Sequence, residues 1–323
     1  MRETSPGFVS IPGDTAKSFS ITGDDGIRLT VYRFVGAPAG APILLWGHAG
    51  GFAAGSYLPL LEALSHEAEI FAFDARGHGG SGVPPPEAES GAEPPYHPDR
   101  FARDLAAIAA FVAMQTGGRP IHYAAHSLNA AAFLRLGCRF PALFGTIPWR
   151  RALLFEPPLF PPREQPIHGE AVAKNKALVA RTRLRRRHWR SPEDFADYLK
   201  HRGVFASFAP TMRVAHARAA LRPTPDGQYV LACPPEVEAA MYAAFTDPST
   251  YALLPRFPRN VALRLVSGDP DTGPSHDWVT AITGFAAERL DAPLSILPDL
   301  GHLMVFEDPG RALDLVRKIW RDD

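Results

Sequence analysis

The sequence predicts an α/β protein: a mostly parallel sheet flanked by helices, interrupted by a helical insertion. Three observations carry this. Short, near-continuous apolar runs recur along the chain, segments with helical spacing separate them, and the alternation stops between about Pro157 and Pro248. In order, Lys17–Thr22 and Arg28–Phe34 flank a Gly-Asp-Asp-Gly turn signal and read as an antiparallel hairpin. Ile43–Trp46, Ile70–Phe73, Ile121–Ala124, Leu153–Phe155, Val261–Val266 and Leu294–Leu297 read as buried strands. Helical patterns cover Tyr57–Ser65, Pro98–Met114, Asn129–Cys138, Trp278–Arg289 and Pro309–Trp320. Asp99 and Asp104 fall early in the second of these, where a helix dipole favours acids. Val83–Pro98 is a proline-rich loop. The expected organisation is a core of residues 17–156 and 249–321, with a helical cap insertion at 157–248 lying over the carboxyl edge of the sheet. Within it, Ser191-Pro192-Glu193-Asp194 is a helix start: capping hydroxyl, proline at the first position, acids in the first turn.

Composition narrows the class. A chain of 323 residues, 46% apolar and 21% charged, buries a large core as a soluble enzyme does. Its formal net charge of zero provides no global attraction for nucleic acid or anionic membrane. No run reaches the roughly 18 apolar residues of a membrane span, and the first residues lack an apolar signal core. Two cysteines, Cys138 and Cys233, make neither a disulfide framework nor a metal-ligand pattern. A cytoplasmic protein without metal or cofactor is the expectation, with a small-molecule substrate as its partner. Oligomeric state is not legible.

In open α/β sheets, ligands bind at the carboxyl ends of the strands. The segments there are G-H-A-G-G-F after Trp46, D-A-R-G-H-G-G-S-G after Phe73, A-H-S-L-N-A after Ala124, S-G-D-P-D after Val266, and P-D-L-G-H-L after Leu297. They deliver a serine, then acids, then a histidine, in that chain order. Ser127 taken alone is equally a capping serine opening a helix, since the usual Gly-x-Ser-x-Gly is here Ala125-His126-Ser127-Leu128-Asn129.

Taken together, these segments resemble the α/β-hydrolase family, in its cap-bearing serine hydrolase or esterase-like branch. Phe73–Gly82 and Gly301–Pro309 carry the most specific likeness, and the resemblance runs from about Phe19 to Trp320. It implies Ser127 as nucleophile, His302 as general base and Asp271 as the acid, the last from a Gly-x-x-Asp spacing beginning at Gly268. Asp269 and Glu156 stay open as alternative acids, Glu156 because some members place the acid after the sixth strand. The backbone N–H groups of Leu128 and Gly50 are the expected oxyanion donors, Gly50 replacing a residue of the family's His-Gly-x loop. Serine at the nucleophile position argues against the haloalkane dehalogenase and epoxide hydrolase chemistries, which use aspartate there. The implied activity is hydrolysis of a carboxylic ester or related carbonyl substrate through an acyl-enzyme. C–C bond, lactone or amide hydrolysis and acyl transfer are possible with the same residues. A non-catalytic protein binding a hydrophobic ligand is the reading from another class.

Other features have plain structural readings. His48 and His78 are expected to anchor loops, His126 to point sideways into the surroundings of the turn, where it matches the family's usual residue, and His276 to be exposed. The Arg181–Arg190 run, with six arginines, is read as a solvated helix face rather than an anion site. The large apolar residues of the insertion, from Trp189 to Phe245, are expected to hold it to the core and to line an apolar pocket above Ser127. Asn129 departs most from the family pattern. It either crowds the turn or bonds a neighbouring loop.

Overall fold

The computed structural model describes residues 8–87, 90–269, 271 and 277–321; the expectation for His276 lies outside them. β1 (Ala16–Thr22) and β2 (Arg28–Phe34) form the antiparallel hairpin, closed where Asp25 and Gly26 take φ of 54° and 83°. There follow β3 (Ile43–Gly47), α1 (Leu58–Ser65), β4 (Glu69–Asp74), α2 (Pro98–Gln115), β5 (Ile121–His126), α3 (Leu128–Arg139), the single turn α4 (Pro141–Phe144) and β6 (Trp149–Phe155). The intervening segment holds α5 (His168–Arg183), β7 (His188–Trp189), α6 (Pro192–Leu199), α7 (Pro210–Ala219), β8 (Leu221–Pro223), β9 (Tyr229–Leu231), α8 (Pro235–Ala244) and α9 (Ser249–Leu253). The chain then returns through β10 (Ala262–Ser267), α10 (Asp277–Leu290), β11 (Leu294–Ile296), α11 (Met304–Glu307) and α12 (Pro309–Arg321).

Eight strands make one sheet in the order β1-β2-β4-β3-β5-β6-β10-β11, parallel from β4 onward. Side-chain alternation divides its core into two layers. Ile43, Leu45, Phe71, Phe73, Tyr123 and Leu154 face α2, α3 and α10. Leu44, Trp46, Ile70, Ala72, Leu153 and Phe155 face α1 and α12. α12 supplies Ala312, Val316 and Ile319, one stripe at helical spacing. All five residues of β3 are buried, so its chemistry is confined to the loop that follows it.

The intervening segment differs from expectation in carrying a small antiparallel sheet, β7-β9-β8. Its strands have two or three residues, too few for a periodicity to register. No described helix is long and apolar enough to cross a membrane.

The Phe73–Gly82 segment proves to be scaffold. Asp74 is fully buried and accepts from Ser10 Oγ at 2.9 Å, the Ala54 N–H at 2.8 Å, Tyr32 Oη at 2.7 Å and the Gly80 N–H at 2.8 Å. Gly79 takes φ of 48°, and a Cβ there would lie 2.2 Å from Asp74 Oδ2, so only glycine fits. Arg76, also fully buried, makes two bonds to Asp104 of α2, at 2.7 and 3.0 Å. Asp104 and Asp99 are thus paired with arginines, Asp99, in the first turn of α2, with Arg135 at 2.5 Å.

Candidate active site

Ser127 follows the last residue of β5 and precedes α3, with φ 54° and ψ −110°. A non-glycine residue in this region costs roughly 1–3 kcal/mol and persists only where its surroundings enforce it. Here the Ser127 N–H donates to Phe155 O at 2.8 Å and Ser127 O accepts from the Ala131 N–H at 3.0 Å. Its hydroxyl makes no capping bond to the helix. Instead Oγ lies 3.1 Å from His302 Nε2.

His302 Nδ1 is 2.6 Å from Glu156 Oε2. Glu156 directly follows β6, is fully buried, and has a φ of 38°. Its other oxygen accepts from the Gly268 N–H at 2.7 Å, Thr280 Oγ1 at 3.1 Å and Ser267 Oγ at 3.2 Å. Burial opposes ionisation, but the hydrogen bond and charge of His302 and the other donors outweigh it, so the carboxyl titrates below its ordinary range. Nδ1 therefore donates, and Nε2 faces Ser127 with its lone pair. Asp271, the acid expected from spacing, is exposed, and its N–H donates to Asp269 Oδ1 at 2.9 Å. The other Asp269 oxygen accepts from the Asp299 N–H at 3.1 Å. The carboxylate brought to the imidazole is thus Glu156, the alternative after the sixth strand. Gly268 serves that carboxylate with its N–H, and it lacks room for a Cβ, which would lie 2.6 Å from Leu300 O.

The loop after β3 runs beside this turn. Asn129 Nδ2 donates to His48 O at 2.6 Å, and the Ala49 N–H donates to Tyr57 Oη at 3.0 Å. His48 Nδ1 donates to Ala49 O at 2.7 Å, while its Nε2 accepts from the Ala75 N–H at 2.9 Å. The Gly51 N–H donates to His78 Nε2 at 3.0 Å, and Gly50 O accepts from Tyr242 Oη at 3.3 Å. Across three consecutive peptides, the Gly50 N–H alone has no hydrogen-bond partner among the described residues. The Leu128 N–H, first in its helix, likewise has no acceptor in the helix. Asn129 therefore bonds the neighbouring loop rather than merely crowding the turn.

One connection gave no signal in the sequence. Tyr57 Oη, which accepts from Ala49, donates to His126 Nδ1 at 2.8 Å, and His126 Nε2 donates to the backbone oxygen of His302 at 2.8 Å. The serine's neighbour thus ties the β3 loop to the histidine loop. Burial pushes the imidazoles down, His48 to about 4 and His78 and His126 to about 3, so all three are neutral anchors.

The remaining candidates are structural. Arg185 pairs with Glu238, Arg186 and Arg190 with Asp194, and Arg187 with Glu236. Among the described residues, one cluster of potential metal ligands occurs, Glu93, His97 and Asp99. Its carboxylates are engaged by Arg100, Arg103 and Arg135. Cavities of about 620 Å³ beside α7 and about 450 Å³ at the amino end of β10 are not lined by Ser127, Glu156 or His302. The expected apolar pocket above Ser127 is not one of them.

Comparison with known proteins agrees with this architecture. No curated protein matches the chain at a significant level. Among solved structures, an E-2-(acetamidomethylene)succinate hydrolase superposes with a TM-score of 0.72 at 18% identity, covering 94% of this chain and 98% of that one. A thermophilic esterase from Thermogutta terrifontis, with malate bound, gives 0.63 at 19%, covering 95% and 99%. An N-formylmaleamic acid deformylase from Pseudomonas putida gives 0.59 at 16%, covering 93% and 100%. The model of the alpha/beta hydrolase family matches residues 43–315, most of the chain and every element that bears the site. By that match and by its fold, the chain belongs to the alpha/beta hydrolase family.

Proposed function

We propose that the chain is a serine hydrolase that cleaves a carboxylic ester, or a related acyl bond, through an acyl-enzyme. The observation that carries this reading is the continuous contact Ser127 Oγ–His302 Nε2–His302 Nδ1–Glu156 Oε2, at 3.1 and 2.6 Å. Ser127 attacks the carbonyl carbon as Nε2 takes its proton, and Glu156 holds the imidazole in the required tautomer and stabilises the imidazolium. The developing oxyanion accepts from the N–H groups of Gly50 and Leu128. His302 passes its proton to the leaving group, and a water activated in the same way releases the acyl group.

Residues 157–248 are proposed as a cap over a small or medium apolar substrate. Phe205 and Phe208 pack within 6.5 Å, centroid to centroid, of Phe52, next to the Gly50–Gly51 turn. The free, buried Cys138 and Cys233 fit a reducing, cytoplasmic setting. Two structural relatives are named for an acetamidomethylene succinate and for an N-formyl acid, which favours including acyl–nitrogen bonds among the substrates.

The test is labelling with a fluorophosphonate alongside turnover of short p-nitrophenyl esters and N-acyl analogues. Wild type labels at Ser127, and Ser127→Ala loses labelling and about 10⁶ of rate. An unlabelled wild type that still binds apolar ligands would make this a binding protein instead.

A further inference from the structure

We infer that Tyr242, held by Glu238 and Arg185, is a positioning residue for the oxyanion hole, so that the segment between β6 and β10 completes the site rather than only covering it. The inference rests on reading the Gly50 N–H as an oxyanion donor. Gly50 carries no side chain, so nothing intrinsic fixes the angle between its N–H and its C=O. On the upstream side, Ala49 is held by Tyr57 and by His48. On the downstream side, the peptide joining Gly50 to Gly51 is held at both ends. His78 takes its N–H at 3.0 Å, and Tyr242 Oη reaches its C=O at 3.3 Å. Of these four groups only Tyr242 comes from the intervening segment.

Tyr242 is itself constrained. Its hydroxyl has one proton, directed mainly at Glu238 Oε1 at 2.8 Å, with Gly50 O as the longer branch. Glu238 is 2% exposed, and both its oxygens contact Arg185 Nη1, at 2.6 and 2.5 Å. A carboxylate this buried requires such partners. It also lies directly on the loop backbone, since a Cβ at Gly51, where φ is 80°, would be 2.5 Å from Glu238 Oε1. Burial and the neighbouring Glu238 charge push the Tyr242 phenol well above its ordinary range, so it remains a donor at any working pH. The arrangement connects α8, and Arg185 in the stretch after α5, to the peptide next to the oxyanion donor.

Tyr242→Phe removes one oxygen and leaves the ring against Gly50. The expected result is a kcat for a p-nitrophenyl ester about 10-fold lower, as for a donor displaced by a fraction of an ångström. KM, and inhibition by the carboxylic acid product, should stay within about 2-fold, because the oxyanion forms only in the transition state. Affinity for a trifluoromethyl ketone, whose adduct with Ser127 bears the oxyanion, should fall in step with kcat/KM. Complete labelling by fluorophosphonate at long times reports that the variant is folded and that Ser127 is intact. Unchanged kcat overturns the inference. So does a loss confined to KM and product binding, which indicates a pocket-shaping role. A wild type that fails to label overturns the serine-hydrolase reading itself, and the oxyanion inference with it.

Discussion

Glu156→Gln separates the two carboxylates that the sequence left in competition, and the structure dictates how the amide must sit. Three donors converge on Glu156 Oε1: the Gly268 N–H, Thr280 Oγ1 and Ser267 Oγ. The glutamine carbonyl must therefore take that position, which places its NH₂ where Oε2 now faces His302 Nδ1 at 2.6 Å. The amide then donates to Nδ1, the imidazole proton moves to Nε2, and Nε2 can no longer accept from Ser127. Loss of the correct tautomer in such triads lowers kcat by about 10⁴, or about 5 kcal/mol of barrier. Fold and substrate affinity should survive, since shape and the Oε1 bonds are kept. Asp271→Asn changes an exposed group and should leave kcat within about 2-fold. Ester turnover of the two variants, normalised to Ser127 labelled at long times, decides the matter. Glu156→Gln retaining a tenth of wild-type activity, or Asp271→Asn losing most of it, would refute the assignment of the acid.

Two further outcomes follow from the same network. Asn129→Gly restores the family residue but removes the 2.6 Å bond to His48 O; leaving that buried carbonyl unpaired should cost about 1–3 kcal/mol in denaturant unfolding. Labelling of Ser127 should also slow by about 10-fold through a displaced Gly50, and a variant as stable and as fast as wild type would show that the bond is idle. His48, His78, His126 and His216 are buried and neutral, with pKa values of about 4 for the first and about 3 for the others, against 6.5 when unfolded. The unfolded chain takes up these protons below pH 6.5 and the folded protein does not, so the stability they confer is full above 6.5 and falls as pH drops toward 4. Each contributes at most about 1.4 kcal/mol per pH unit in that window. The urea midpoint should therefore collapse between pH 6.5 and 4.5, and a flat midpoint there would contradict neutral burial.

Much of this was legible because it depends on period and order. The all-buried β3 and the 312/316/319 stripe of α12 follow from apolar spacing, and the serine, acid and histidine follow from what stands at the strand ends. The acid was legible only as a set of alternatives. Whether Glu156 or Asp271 reaches His302 depends on a backbone turned to φ 38° just after β6, and no spacing rule encodes that angle. The roles of Tyr57, His126 and Tyr242 come from contacts across 69, 176 and 192 positions of sequence, which one sequence cannot pair. The β8–β9 hairpin was within reach. Thr224-Pro225-Asp226-Gly227 is a turn signal, and Gly227 takes a φ of 77°.

The turn at Ser127 also shows why Ala125 and Asn129 can stand where glycines are usual. Glycine is wanted at a nucleophile turn because strand and helix backbones come close, and that requirement concerns the pair of surfaces rather than one of them. Here the space is provided from the facing strand. A Cβ at Gly47, the last residue of β3, would lie 2.6 Å from Asn129 Cβ, 2.7 Å from Tyr123 Oη and 3.2 Å from Ala125 Cβ. Gly47 thus accommodates both larger residues at once. Asn129, seated over it, spends its amide on His48 O, while its own carbonyl accepts from Tyr123 Oη at 3.0 Å. The larger side chain gains a hydrogen bond that a glycine cannot make. That bond holds the peptide preceding the loop whose Gly50 N–H has no partner among the described residues.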